Sequence, residues 1–229
     1  MNIVQLDPHC WPELASEIIA ERISSFLLER AATNIPYCNL FITGGNTVKK
    51  LYPALSKSKV LNGNARINFY LTDERMPSAQ SDNLNDRNSE ICSKFLLNNL
   101  TNKNIYFYPI FHEDIDVNDL INIYQDTIPE SIDIVILSLG DDGHIASIFE
   151  HDLDANENIF EYIMKTESPN HKYQRISITY KLLNKAKYIY IIATGDNKKP
   201  VLKQIQDGDL NNTSVTKKLA SRAIWISTF

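Results

Sequence analysis

The densest chemistry in this 229-residue chain is Leu139-Gly140-Asp141-Asp142-Gly143-His144-Ile145-Ala146-Ser147, where a histidine and two aspartates share a glycine-bounded turn. Histidine is the side chain best suited to moving a proton near neutral pH, and flanking glycines let a rigid turn fix where it stands. Paired aspartates also suit a divalent metal, but one histidine at this spacing matches no hydrolytic metal signature. No G-x-S-x-G elbow is present, so a serine triad is not indicated. The remaining histidines, His9, His112, His151 and His171, have no comparable setting and read as surface or packing residues.

Three further constellations carry charge or bare backbone. Thr43-Gly44-Gly45-Asn46-Thr47 precedes a helical stretch. It reads either as a glycine turn with Asn46 or Thr47 as an ordinary cap, or as a loop whose free amides receive a phosphate or carboxylate. It matches neither the dinucleotide fingerprint nor a P-loop. Asp73-Glu74-Arg75 leaves a strand candidate. It is either a solvated turn, or a site where Arg75 clamps an oxyanion and Asp73 orients a water or a sugar hydroxyl. The last is distributed: Arg175 before a strand candidate, and Lys198 three residues after Gly195. A lysine at a helix start opposes the macrodipole, so Lys198 reads either as a phosphate ligand or as a solvated side chain.

The elements that must position these residues follow from periodicity. Glu13 to Arg30, Val48 to Leu55, Ser89 to Leu100, Val117 to Ile128 and Lys198 to Gln206 have helical character. Leu40 to Thr43, Ile67 to Thr72, Ile105 to Tyr108, Ile132 to Leu139, Ile176 to Thr179 and Tyr188 to Ala193 read as strands, and Ile224 to Ile226 as a late edge strand. Asp73 to Asn88 and Asp207 to Ser214 read as polar connections. Ile132 to Leu139 is apolar on both faces, as in a parallel sheet covered by helices. The alternation predicts an α/β fold, a mostly parallel, Rossmann-like sheet with helices on both faces. One domain across residues 1–229 is expected, with the weakly patterned stretch Asp152 to Lys172 as a small excursion or lid. Five of the seven glycines, Gly44, Gly45, Gly140, Gly143 and Gly195, fall at or just beyond carboxyl ends of these strands, the edge where open α/β sheets bind ligands.

Composition narrows the class. A formal net charge of -5 without a lysine-arginine block disfavours nucleic acid as a partner, while a few local cations still suffice for a small anion. No apolar run is long enough to span a bilayer, and Met1 to Cys10 lacks a basic and an apolar region, so the expectation is a cytoplasmic protein without a membrane partner. Cys10, Cys38 and Cys92 form neither a metal spacing nor a disulfide framework.

Taken together and in order, Thr43 to Thr47, Leu71 to Arg75 (LTDER), Leu137 to Phe149 (LSLGDDGHIASIF), Ser168 to Thr179 (SPNHKYQRISIT) and Ala193 to Leu202 (ATGDNKKPVL) resemble the 6-phosphogluconolactonase family and its wider relatives, the glucosamine-6-phosphate isomerases/deaminases. Within that group, Arg75 and the segment HIASIF side with the lactonases. The deaminases tend to have Asp-Glu-Tyr and an A-F-N-E-P segment, and Glu150 lies one residue too far along to stand for that glutamate. The chain departs from the pattern at Asn46, at Val48, at Asn170-His171-Lys172 in place of lysine-proline-proline, and at its tail, which stops at Phe229. Asn170 removes a cation that Lys172 is placed to restore.

The resemblance implies hydrolysis of 6-phospho-D-glucono-1,5-lactone to 6-phosphogluconate in the oxidative pentose phosphate pathway, by a monomer needing neither metal nor redox cofactor. It implies His144 as general base toward water, with Asp73 beside it in the catalytic group. Gly44, Gly45, Asn46, Thr47, Arg75, Arg175 and Lys198 would hold the substrate and its phosphate, with Lys172 as a further contact. Amides around Gly44 and Gly143 would face the developing oxyanion. The alternatives are an amino-sugar-phosphate isomerase/deaminase and a non-catalytic sugar-phosphate-binding protein.

Overall fold

Successive side chains along a strand point to opposite faces, so a strand buried along its whole length must be covered on both. In Tyr37–Ile42 the residues Cys38, Leu40, Phe41 and Ile42 are fully buried, and Ile134, Val135, Ile136 and Leu137 are fully buried in Ile134–Ser138. These two segments lie side by side in the middle of a parallel sheet. The computed structural model describes residues 1–32, 37–76, 84–113, 115–149, 161–167, 170, 172–208 and 215–229. In chain order the strands are β1 (Asn2–Gln5), β2 (Tyr37–Ile42), β3 (Arg66–Leu71), β4 (Asp73–Met76), β5 (Ile105–Tyr108), β6 (Ile134–Ser138), β7 (Ile163–Thr166), β8 (Gln174–Ile178), β9 (Tyr188–Ala193) and β10 (Ile224–Ser227). The helices among the described residues are α1 (Trp11–Ala31), α2 (Val48–Leu55), α3 (Asn88–Phe95), α4 (Val117–Thr127), α5 (Tyr180–Leu183), α6 (Lys199–Asp207) and α7 (Val215–Leu219).

Seven strands form one all-parallel sheet in the order β1-β10-β9-β6-β2-β3-β5. From β2 the chain winds outward through β3 to β5, returns to β6 on the other side of β2, and winds outward again through β9 to β10. The direction therefore reverses between β2 and β6, and such a switch point opens a crevice outside the carboxyl ends of the strands. Phe41, Tyr70 and Tyr108 stack across β2, β3 and β5, with ring centroids 4.8 and 4.5 Å apart. Among the described residues no helix is long and apolar enough to cross a membrane.

The α/β sheet agrees with the expected class, but four local expectations are corrected. Ile224 to Ile226 is no edge strand: β10 lies inside the sheet, flanked by β1 and β9. Asp73-Glu74-Arg75 is neither a turn nor part of a polar connection; it forms β4, antiparallel to β8. Part of the Asp152 to Lys172 excursion is ordered as β7, which completes a three-stranded sheet β4-β8-β7. Residues 152–160, 168–169 and 171 of that stretch lie outside the described residues, as do residues 209–214 of the Asp207 to Ser214 connection. The expected helix Ser89 to Leu100 breaks after Phe95 into a 3-10 turn, Leu97–Asn99.

The small sheet is fixed to the large one by buried polar groups. Thr72 bridges them, its N–H donating to the Ile42 carbonyl (2.9 Å) and its carbonyl accepting from Ile178 N–H (2.8 Å). Glu74, fully buried, accepts three backbone N–H groups: Arg75 (2.7 Å), Asn88 (2.6 Å) and Ser89 (2.8 Å). The last two are orphan donors of the first turn of α3, so Glu74 caps that helix from another strand.

Burial pushes the Glu74 carboxyl up from its ordinary 4.5 to about 7, outweighing the side chain of Ser89 and the amides of Ser89, Asn88 and Arg75, which pull it down. The folded protein then binds this proton more tightly than the unfolded chain, and the group's contribution to stability declines as pH rises from 4.5 to about 7. We expect the unfolding free energy of the native protein, relative to Glu74→Gln, to fall across that window and level off above it. Urea titrations at a series of pH values measure this; a difference that rises with pH contradicts the assignment.

Candidate functional site

Outside the carboxyl ends of β2, β6 and β9 lies a cavity of about 800 Å³. Its walls bring together Gly44, Gly45, Asn46, Thr47, Asp73, Arg75, His144, Arg175 and Lys198, residues drawn from segments far apart in the chain. Two expected contacts are not there. Gly143 does not line the cavity; at φ +89° it closes a turn, and its N–H donates to the Gly140 carbonyl (3.2 Å). That amide is spent on the turn and is not available as an oxyanion donor. Lys172 faces a separate cavity of about 290 Å³ beside Tyr173, to whose hydroxyl its ammonium donates (3.1 Å), whereas Asn170 lines the main cavity.

The loop after β2 approaches α3 closely. A Cβ at Gly44 would stand 2.1 Å from Asn88 Oδ1, and Gly45 has φ +99°, so both positions call for glycine. Neither expected cap forms: Thr47 makes no side-chain capping bond, and Asn46 Oδ1 accepts from Lys49 Nζ (3.2 Å). Among the described residues the amides of Gly44, Gly45 and Asn46 donate to no protein acceptor, which leaves the loop able to receive an anion.

Strand alternation explains β4. Asp73 and Arg75 point to the cavity, while Glu74 between them points to α3. Asp73 is 2% exposed, and its carboxylate accepts from the hydroxyls of Thr43 (3.2 Å), Thr72 (2.9 Å) and Ser147 (2.7 Å). Arg175 NH1 donates to the same Ser147 hydroxyl (3.1 Å) and lies 3.8 Å from Asp73. In the antiparallel ladder Arg75 is the direct partner of Arg175. Two guanidinium groups directly opposed on one face repel each other, and an anion between or above them relieves that repulsion. Burial lowers the pKa of Arg175, and the charge of Arg75 lowers it further against the carboxylate of Asp73.

The exit of β6 is built around His144. Its carbonyl accepts from Gly140 N–H (2.8 Å), its own N–H donates to Asp142 Oδ1 (3.2 Å), and its Nδ1 pairs with that same oxygen. A Cβ at Gly140 would stand 2.2 Å from Nδ1, so the imidazole occupies the space that only glycine leaves open. The carboxylate holds the Nδ1 proton and makes Nε2 the basic nitrogen. Phe149 packs against the ring at 5.0 Å. Ala146, on the cavity wall, is held at φ +52°, an uncommon conformation for a residue with a Cβ.

Past β9, Lys198 ends a 3-10 turn (Asp196–Lys198) and is 9% exposed. Its ammonium pairs with Asp141 Oδ1, which also accepts from Asn197 Nδ2 (2.9 Å). Burial alone would raise the Asp141 carboxyl, but the hydrogen bonds from Lys198 and Asn197 outweigh it and hold the group below its ordinary range.

Several lining residues were given no catalytic or substrate-binding role by the sequence reading. Asp142 is the most consequential; its signal was its place two residues before His144 in one tight turn. Gly140 was visible only as a glycine at a strand exit. Lys50 on the first turn of α2, Asn88 at the start of α3, Trp11 and Phe229 also line the cavity, and no local pattern announces them. Among the described residues no three His, Cys, Asp or Glu side chains gather as a metal ligand set.

Comparison with known proteins agrees with this architecture. A 6-phosphogluconolactonase of Haemophilus influenzae is 30% identical over 76% of this chain and 75% of its own length. One from Chlamydia pneumoniae is 26% identical over 72% of this chain, and the match spans 63% of that relative's length. In fold, the chain is similar to the 6-phosphogluconolactonase structures of Shewanella baltica (TM-score 0.82, 20% identity, 99% of this chain and 97% of that one) and Thermotoga maritima (TM-score 0.78, 22% identity, 99% and 98%). The family model described as glucosamine-6-phosphate isomerases/6-phosphogluconolactonase matches residues 12–224, and the chain belongs to that family.

Proposed function

We propose that the protein hydrolyses 6-phospho-D-glucono-1,5-lactone to 6-phosphogluconate, as a monomeric single-domain enzyme of the cytoplasm in the oxidative pentose phosphate pathway. The observation that carries this reading is the meeting, on one cavity, of a carboxylate-oriented histidine with two opposed arginines. The names borne by its relatives point the same way.

His144 Nε2 takes a proton from water as the water oxygen bonds to the lactone carbonyl carbon. The carbonyl π-electrons move to oxygen, and the negative charge is met by the free amides of the Gly44-Gly45-Asn46 loop. Collapse re-forms the carbonyl and breaks the bond to the ring oxygen, which receives the proton from the imidazolium. Asp142 stabilises that imidazolium and keeps Nε2 directed at the substrate. Neither step calls for a redox change or a metal. Arg75, Arg175 and Lys198 are assigned to the phosphate, whose binding energy holds the ring in line for attack. In this reading Asp73, with each carboxylate oxygen already taken by protein hydroxyls, serves to position Arg175 and Ser147 rather than to touch water.

Hydrolysis must be timed against the spontaneous reaction of the lactone. We expect the native protein to accelerate it, and folded His144→Asn to lose about 10²- to 10⁴-fold in kcat. Asp142→Asn should lower kcat with little change in KM, because it disturbs the tautomer and not the phosphate. Full activity in folded His144→Asn removes the general base; no acceleration by the native protein removes the lactonase reading, and glucosamine 6-phosphate is then the substrate to offer. For the phosphate seat, Lys198→Ala should raise KM for the phosphorylated lactone. An unchanged KM takes Lys198 out of the site.

A further inference from the structure

The loops after β6 and β9 meet because those strands are neighbours in the sheet, and Asp141 meets Lys198 there. Both line the main cavity. The two partners are unequally placed. Lys198 is 9% exposed, and a nearly buried ammonium needs a counter-charge. The Asp141 side chain is 66% exposed, so its carboxylate re-enters water at little cost. The other carboxylates that line the cavity have different partners: Asp73 accepts from the Ser147 hydroxyl (2.7 Å), Asp142 pairs with His144, and Asp196 with Lys199 (2.8 Å).

We propose that Asp141 is a built-in counter-ion that holds the anion seat of the cavity and yields it to the phosphate of the substrate. Asp141 Oδ1 collects an ammonium from Lys198 and an amide N–H from Asn197 (2.9 Å), two donors converging on one oxygen. That is the pattern a phosphate oxygen requires. When the carboxylate swings out, the same two donors are left aimed at one point inside the cavity. Asn197 is thereby a second phosphate donor, and Asp141 sets how strongly a group must be charged to enter. A singly charged or neutral group competes poorly with the resident carboxylate, whereas a dianionic phosphate displaces it. The inference rests on the assignment of Lys198 to the phosphate.

The test compares native protein, Asp141→Asn, Asp141→Ala, Asn197→Ala and Lys198→Ala, each checked for native circular dichroism. The readouts are KM for the phosphorylated lactone and the inhibition constant of inorganic phosphate. Removing the resident charge should lower both constants about two- to fivefold in each Asp141 variant, the size expected for one largely exposed carboxylate. The ratio of kcat/KM for phosphorylated over unphosphorylated gluconolactone should rise by the same factor. Asn197→Ala should raise both constants. If Lys198→Ala weakens phosphate but the Asp141 variants leave both constants unchanged or raise them, Asp141 merely supports the lysine and the inference is overturned. Should Lys198→Ala change neither constant, the phosphate assignment fails, and the counter-ion role falls with it.

Discussion

Asp73 carries a carboxylate in almost complete isolation from water, at the seam between the two sheets, and the site is assembled around it. Such a group is tolerated only where donors replace its hydration. The donors come from separate places: Thr43 after β2, Thr72 after β3 and Ser147 beyond β6, with Arg175 of β8 close by. One side chain therefore fixes the mutual positions of the glycine loop, the loop carrying the histidine and the arginine pair. Its neighbour Glu74 faces the other way and secures α3, whose Asn88 in turn presses on Gly44. Two adjacent acids on one short strand thus set the cavity from inside and from behind.

The loop that carries His144 shows how backbone and side chain compete for the same space. His144 and Asp142 fold back over Gly140, and the imidazole lies where any larger residue would put its Cβ. Gly143 supplies the positive φ that closes the turn, and Ala146 adopts one despite its side chain. The geometry is over-determined, since Gly140, Asp142, Gly143 and His144 are tied to one another by hydrogen bonds. An imidazole held this way needs little rearrangement to keep its direction.

Most of the parallel sheet was legible in the sequence because long apolar runs bounded by glycine leave few alternatives. Val48 to Leu55, Ile105 to Tyr108 and Tyr188 to Ala193 have the expected bounds. β4 was not legible, because Asp-Glu-Arg looks solvated until the partners that bury it are known, and those lie on β8, α3 and the loop after β6. The interior place of β10 was hidden for a related reason: periodicity says that a segment is a strand, not which strands flank it. In the site, nearly all the residues singled out by type and strand-exit position share the cavity. Lys172 and Gly143 do not, since a residue's place along the chain does not fix where its side chain points or what its amide already binds. Asp142 was weighed as a metal ligand and is instead the partner of the histidine.

The position of β10 also has a bearing on how the chain is made. Among the described residues β1 pairs in the large sheet with β10 alone, and β10 joins it to β9. During synthesis, residues 2–5 emerge long before residues 224–227, the strand with which they pair. The sheet can grow outward from β2 as β3, β5, β6 and β9 appear, but one edge must wait for the last strand to arrive and bring β1 in with it. Sequence separation of that size slows folding. In the interval the open side of β9 is an unpaired edge, the kind of surface on which nascent chains associate with one another.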